Sequence, residues 1–162
     1  NNILTACHDL AGYSVADSAF RTRRYREQEE QLKSEASRLM DVMGLAEWRD
    51  KQAVSLPYGV QRRLEIARAL AVRPRLLLLD EPAAGMNPDE TRQLMTLISR
   101  IRDEFSCTIL VIEHRMDLIM GICENIVVLN FGRKLTEGSP RAIQSDPQVI
   151  QAYLGEGVNA GA

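Results

Sequence analysis

Two apolar runs in this 162-residue chain end in side chains able to do chemistry. Leu76 to Leu79 leads into Asp80-Glu81-Pro82, and Thr108 to Ile112 leads into Glu113-His114. In a parallel α/β sheet, ligands gather at the carboxyl ends of the strands, where these groups would stand. Adjacent acids there can divide the labour. One carboxylate would face a hydrated Mg²⁺, which takes oxygen ligands, while the next orients and deprotonates a water, the layout of a nucleotide hydrolase. The plainer reading is that Asp80 and Glu81 end a strand and cap a turn. Glu113 either assists His114 or is a structural acid.

These residues need a scaffold, and the apolar pattern supplies one. A helix is expected from Asp17 or Ser18 to Met43, with Leu32, Ala36, Leu39, Met40 and Met43 on one face. Gly44 would close it in a left-handed conformation, with Leu45 as the hydrophobic contact that follows. Leu56-Pro57-Tyr58-Gly59 reads as a turn, and Val60 to Arg73 as a helix stopped by Pro74. Leu76 to Leu79, Thr108 to Ile112 and Ile126 to Leu129 lack alternation, which predicts strands buried on both faces. Asn87-Pro88-Asp89-Glu90 opens a helix with an N-cap, a first-turn proline and an acid three residues after the cap. Its apolar face is Leu94, Leu97, Ile98, Ile101 and Phe105. Met116 to Cys123 reads as a short helix, Arg133 to Glu137 as a hairpin strand returning across Asn130-Phe131-Gly132, and Ser139 to Leu154 as two small helices begun by Pro140 and Pro147. Gly155 to Ala162 is expected to fray. Strands alternating with helices indicate an α/β fold with a largely parallel sheet.

Composition narrows the function classes. A hydrophobic content of 45% against 26% charged residues is that of a soluble globular protein with one compact domain. The formal net charge of −2 argues against nonspecific nucleic-acid binding. Cys7, Cys107 and Cys123 show no metal or disulfide spacing, fit a reducing cytoplasm and read as inert. No apolar stretch reaches the roughly 20 residues that span a bilayer, and no secretory signal is visible. Arg21, Arg23, Arg24 and Arg26, followed by Glu27, Glu29 and Glu30, read as a solvated helix face, with contact to membrane subunits or lipid headgroups as the alternative. His8 reads as an ordinary surface residue, and Met40, Met43, Met116 and Met120 as core.

Leu56 to Leu70, read with Asp80-Glu81-Pro82, Ala84-Gly85-Met86-Asn87-Pro88 and the strand ending in His114, resembles the ordered signature, Walker B, D-loop and switch-histidine motifs of ATP-binding cassette (ABC) proteins. Tyr58-Gly59, Ala83 to Pro88, Ile112-Glu113-His114, Met120-Gly121-Ile122, Asn130-Phe131-Gly132 and Val149 to Glu156 look like one subfamily, the ATPase subunit of branched-chain amino acid importers. The type usually called G is closer than its F partner. The resemblance covers nearly the whole chain and implies a P-loop NTPase-like fold with a helical subdomain. Residues 1–73 would hold the helical subdomain and signature, 74–138 the core, and 139–162 the C-terminal helices and tail.

The resemblance also implies roles. Asp80 would position Mg²⁺ through water, Glu81 would act on the attacking water, and His114 would contact the γ-phosphate of ATP. Pro57, Tyr58, Gly59, Val60 and Gln61 would serve the nucleotide of a second ATPase subunit, with Gly59 letting the backbone approach phosphate at a helix N-terminus. Asn87 would lie in the D-loop at the subunit interface. Further partners implied are transmembrane permease subunits and, indirectly, a periplasmic or extracellular binding protein, which puts the protein on the cytoplasmic face of a bacterial inner membrane.

The sequence departs from the family pattern at several points. Pro57, Tyr58 and Val60 stand where the usual signature has serine, glycine and glutamine, and Ala84 and Asn87 replace the D-loop serine and aspartate. A phosphate loop of the form GxxxxGK[ST] does not occur, and Lys33-Ser34, the one Lys-Ser pair, falls mid-helix. The expectation is an N-terminally truncated, catalytically incomplete subunit whose phosphate loop, adenine platform and Q-loop precede Asn1. Competing readings are a soluble ABC ATPase acting on ribosomes or DNA, and a non-catalytic interaction fragment.

Overall fold

The computed structural model describes residues 1–154, so the expected fraying of Gly155 to Ala162 lies outside the described residues. The chain divides into two compact units, Asn1–Leu110 and Val111–Ala162.

In the first unit, α1 (Asn2–Cys7) packs on α3 (Arg23–Val42) and α4 (Tyr58–Ala71), burying Ile3 and Cys7. The helix expected from Asp17 or Ser18 to Met43 is two helices, α2 (Val15–Ala19) and α3. Arg21 turns left-handed at φ 47°, and the Thr22 hydroxyl accepts the Tyr25 N–H as a new N-cap. Asp17 holds both sides of this break, closing a capping box with Ser14 and accepting the Thr22 hydroxyl at 3.0 Å. Local side-chain caps thus compete successfully with a continuous helix. The apolar stripe itself is as expected: Leu32, Ala36, Leu39 and Met43 are buried, and Met40 is half-buried. Gly44, at φ 63°, ends α3. Its N–H donates to Asp41 O at 3.1 Å and that of Leu45 to Met40 O at 2.8 Å, the paired bonds of a Schellman cap, with Leu45 buried.

The expected Val60 to Arg73 helix begins and ends two residues earlier, because the Pro57 carbonyl accepts the N–H groups of Val60 and Gln61 and Arg73 turns left-handed before Pro74. Strand β1 (Leu76–Asp80) pairs in parallel with β2 (Thr108–Ile112), joined by α5 (Pro88–Phe105). The α5 face formed by Leu94, Leu97, Ile98 and Ile101 is buried, and Arg100 Nη1 donates to Val42 O at the end of α3.

The strands are not buried on both faces. Leu77 and Leu79 are buried, whereas Leu76 and Leu78 are 51% and 64% exposed, and Leu110, Ile112, Val127 and Leu129 are also exposed. An unbroken apolar run records that a strand's two faces are both apolar. It does not record what lies on each.

In the second unit, α6 (Met116–Ile122) precedes the antiparallel hairpin of β3 (Ile126–Asn130) and β4 (Arg133–Gly138), whose register runs from Ile126 opposite Gly138 to Asn130 opposite Arg133 with a bulge at Val128/Leu129. Phe131 and Gly132, at φ 47° and 73°, make the two-residue turn. Helices α7 (Pro140–Gln144) and α8 (Pro147–Val149) pack on β4 and bury Ile143 and Val149. Met116 and Met120 are half-buried.

Candidate functional site

Three segments of the first unit converge around the start of α4. The first is the signature-like segment itself. Pro57 is the N-cap, Tyr58 opens the helix partly exposed, and Gly59 and Val60 are buried. The Gln61 carboxamide donates to Leu56 O at 2.8 Å, fixing the chain's entry into the helix. Arg62 donates through Nε to the Tyr58 hydroxyl at 3.0 Å and lies over its ring, while its Nη1 bonds Glu65 at 2.7 Å. In the first turn of α4 the Val60 N–H is taken by Pro57 O, and those of Tyr58 and Gly59 are the ones for which a helix has no internal acceptor, a setting that favours an anion.

The second segment is the end of β1. Asp80 and Glu81 are both exposed. Glu81 takes φ 42°, a left-handed conformation uncommon for a residue with a Cβ, and its carbonyl accepts the Ala84 N–H at 3.0 Å. Two successive carboxylates at a strand end, the second redirected by its backbone, supply the oxygen donors that a hydrated divalent cation takes.

The third segment, Ala83 to Asn87, folds onto the first. An ideal Cβ on Gly85, itself at φ 73°, would lie 3.5 Å from Tyr58 Cε1. Asn87 caps α5: its side chain accepts the Glu90 N–H at 2.9 Å, and Glu90 Oε2 accepts the Asn87 N–H at 3.0 Å.

Glu113 and His114 follow β2 in the second unit. The Glu113 side chain is fully buried, the His114 ring is 69% exposed, and His114 Nδ1 is 4.0 Å from Glu113 Oε2.

Two family models match the sequence, one described as ABC transporter at residues 6–84 and the other as branched-chain amino acid ATP-binding cassette transporter at residues 133–159. The high-affinity branched-chain amino acid transport ATP-binding protein BraF of Pseudomonas aeruginosa is 44% identical over 155 residues, covering 96% of this chain and 61% of that protein. The corresponding LivG protein of Escherichia coli K12 is 43% identical with the same coverage. The chain belongs to the ATP-binding cassette family. Its fold agrees: the crystal structure of the ADP conformation of MJ1267, an ATP-binding cassette of an ABC transporter, matches with a TM-score of 0.72 at 27% identity, over 95% of this chain and 61% of that one. This ABC chain spans 61% of the length of the two bacterial relatives.

Several features of this ABC chain had no signal in the sequence. The left-handed backbone of Glu81 and the contact of Glu90 with Gly59, described below, depend on how the loop after β1 returns to α4. His8 is a surface residue, as expected, but it has partners: its Nδ1 lies 3.1 Å from the Tyr13 hydroxyl, which donates to Glu29 Oε1 at 2.8 Å. The pairs lie five and sixteen residues apart, which no helical spacing predicts. Among the described residues no three His, Cys, Asp or Glu side chains form a metal-holding group, and no helix is long and apolar enough to cross a membrane.

Proposed function

We propose that this chain is part of the ATP-hydrolysing subunit of a branched-chain amino acid importer, peripheral on the cytoplasmic face of the membrane and partnered by a second ATPase subunit and by permease subunits. Residues 1–73 act as the helical subdomain with the signature, 74–138 as the catalytic core and 139–162 as the C-terminal helices and tail. The observation that carries this reading is Asp80-Glu81 at the end of β1, followed by an Asn87 loop folded onto the Pro57–Gln61 helix start within one compact unit.

In this reading Asp80 holds Mg²⁺ through its water shell. The donor set suits that ion, because Mg²⁺ binds through one or two carboxylates plus waters and substrate phosphates. When bound it neutralises charge on phosphate oxygens. Glu81 accepts the proton of the attacking water, and its exposed carboxylate is accessible to one. His114 presents its exposed ring to the γ-phosphate. Pro57, Tyr58, Gly59, Val60 and Gln61 offer the first turn of α4 to the nucleotide of the partner subunit. Pro57 brings no hydroxyl in place of the signature serine, so backbone N–H groups carry that contact.

The test is Glu81→Gln in the full-length protein. ATP binding should persist while turnover falls by about a thousandfold or more, the scale lost with an essential proton acceptor. Hydrolysis at the parent rate would remove Glu81 from the role of base.

A further inference from the structure

Gly59 is a helical glycine whose backbone does not need to be glycine, since the glycines at positive φ are Gly44, Gly85 and Gly132. What it lacks is a Cβ, and the space a Cβ would take is already claimed. An ideal Cβ at Gly59 would lie 3.1 Å from Glu90 Oε1, 3.5 Å from its Cδ and 3.8 Å from its Cγ. The end of a glutamate side chain can ordinarily move aside. This one is held, because Glu90 Oε2 accepts the Asn87 N–H at 3.0 Å in the capping box of α5. One carboxylate therefore uses one oxygen to hold the last residue of the Ala83–Asn87 loop and sets the other against the first turn of α4, whose helix dipole attracts it.

A second contact runs parallel to the first. Gly85 faces the Tyr58 ring, and that ring is fixed by Arg62, which Glu65 holds in turn. The loop and the helix start thus lie closely against each other at two points.

We propose that Glu90 is a positioning residue that locks the D-loop to the signature segment, so that both meet the partner subunit as one rigid block. Its relevance to catalysis rests on the function proposed above, but the lock itself does not. Glu90 touches neither nucleotide nor water in this scheme. It acts through Asn87 and Gly59.

Glu90→Ala, Glu90→Gln, Gly59→Ala and the double variant Gly59→Ala/Glu90→Ala in the full-length protein test it, with hydrogen exchange and ATPase kinetics as readouts. Glu90→Ala should speed exchange of the Asn87 amide and of the Tyr58 to Gln61 amides together, by about tenfold or more. It should lower kcat by about tenfold at unchanged KM, since the subunit's own nucleotide pocket is untouched. Glu90→Gln keeps a carbonyl acceptor for Asn87 and should restore kcat to within about threefold. Gly59→Ala should reproduce the loss on its own and add nothing in the Glu90→Ala background, the non-additivity expected of directly touching residues. Exchange at Tyr58 to Gln61 that ignores Glu90→Ala, or effects of Gly59→Ala and Glu90→Ala that simply add, would overturn the lock. Coupled exchange in a protein that hydrolyses no ATP in any form would uphold the lock and sink the ATPase reading.

Discussion

Tyr13 shows how one contact resets the chemistry of a side chain. Its hydroxyl donates to Glu29, and deprotonation would place a phenolate against that carboxylate, so its pKa is pushed up from 10.0 to about 12. Because the folded value is raised, the stabilisation is complete below pH 10 and is lost as pH rises through about 12, where the unfolded chain has already released its proton. Spectrophotometric titration should find one tyrosine ionising near pH 12, and Glu29→Ala should return it to the ordinary range. An unchanged titration in that variant would remove the Glu29 bond as the cause. Glu81 shows the same dependence on surroundings through its backbone. Asp80 and Glu81 are adjacent in sequence, yet only Glu81 takes a left-handed φ, and the turn after β1 imposes it.

At the scale of elements, helix ends are where sequence and structure agree most closely, because a cap is settled by neighbours only a few residues away. The Asn87-Pro88-Asp89-Glu90 signal became a complete capping box, and Gly44 a Schellman cap. Gly44→Ala should destabilise by about 1–2 kcal/mol, the cost of a left-handed residue with a Cβ, since the new methyl would also lie 3.2 Å from Arg63 Nη1. Ser106, the exposed left-handed residue that closes α5 at φ 49°, offers the converse. Ser106→Gly should stabilise by about 1 kcal/mol. Urea unfolding of both variants checks the pair, and equal midpoints would mean that neither turn is strained. The break between α2 and α3 escaped the periodicity because the caps that make it, Ser14 with Asp17 and Thr22 with Tyr25, sit inside a stretch free of glycine and proline.

For the molecule as a whole, Leu76, Leu78 and Leu110 are exposed apolar residues on paired strands, and such surface drives association. The 162-residue chain should self-associate in sedimentation, and Leu78→Lys should shift it toward monomer; a monodisperse parent at high concentration would refute this. The same chain should show no measurable ATPase activity, because it has no GxxxxGK[ST] loop to cradle the α- and β-phosphates. Turnover by the purified 162-residue chain would contradict that. The sequence by itself determined the order of the elements, the helix stripes, the caps and the succession of motifs that marks the ABC family, since each is written in residues close together along the chain. Tertiary structure alone decided which strand faces are covered, the left-handed turn at Glu81, the His8–Tyr13–Glu29 cluster and the meeting of Glu90 with Gly59. Those contacts join residues up to 31 positions apart, and packing brings them together where no local periodicity constrains them.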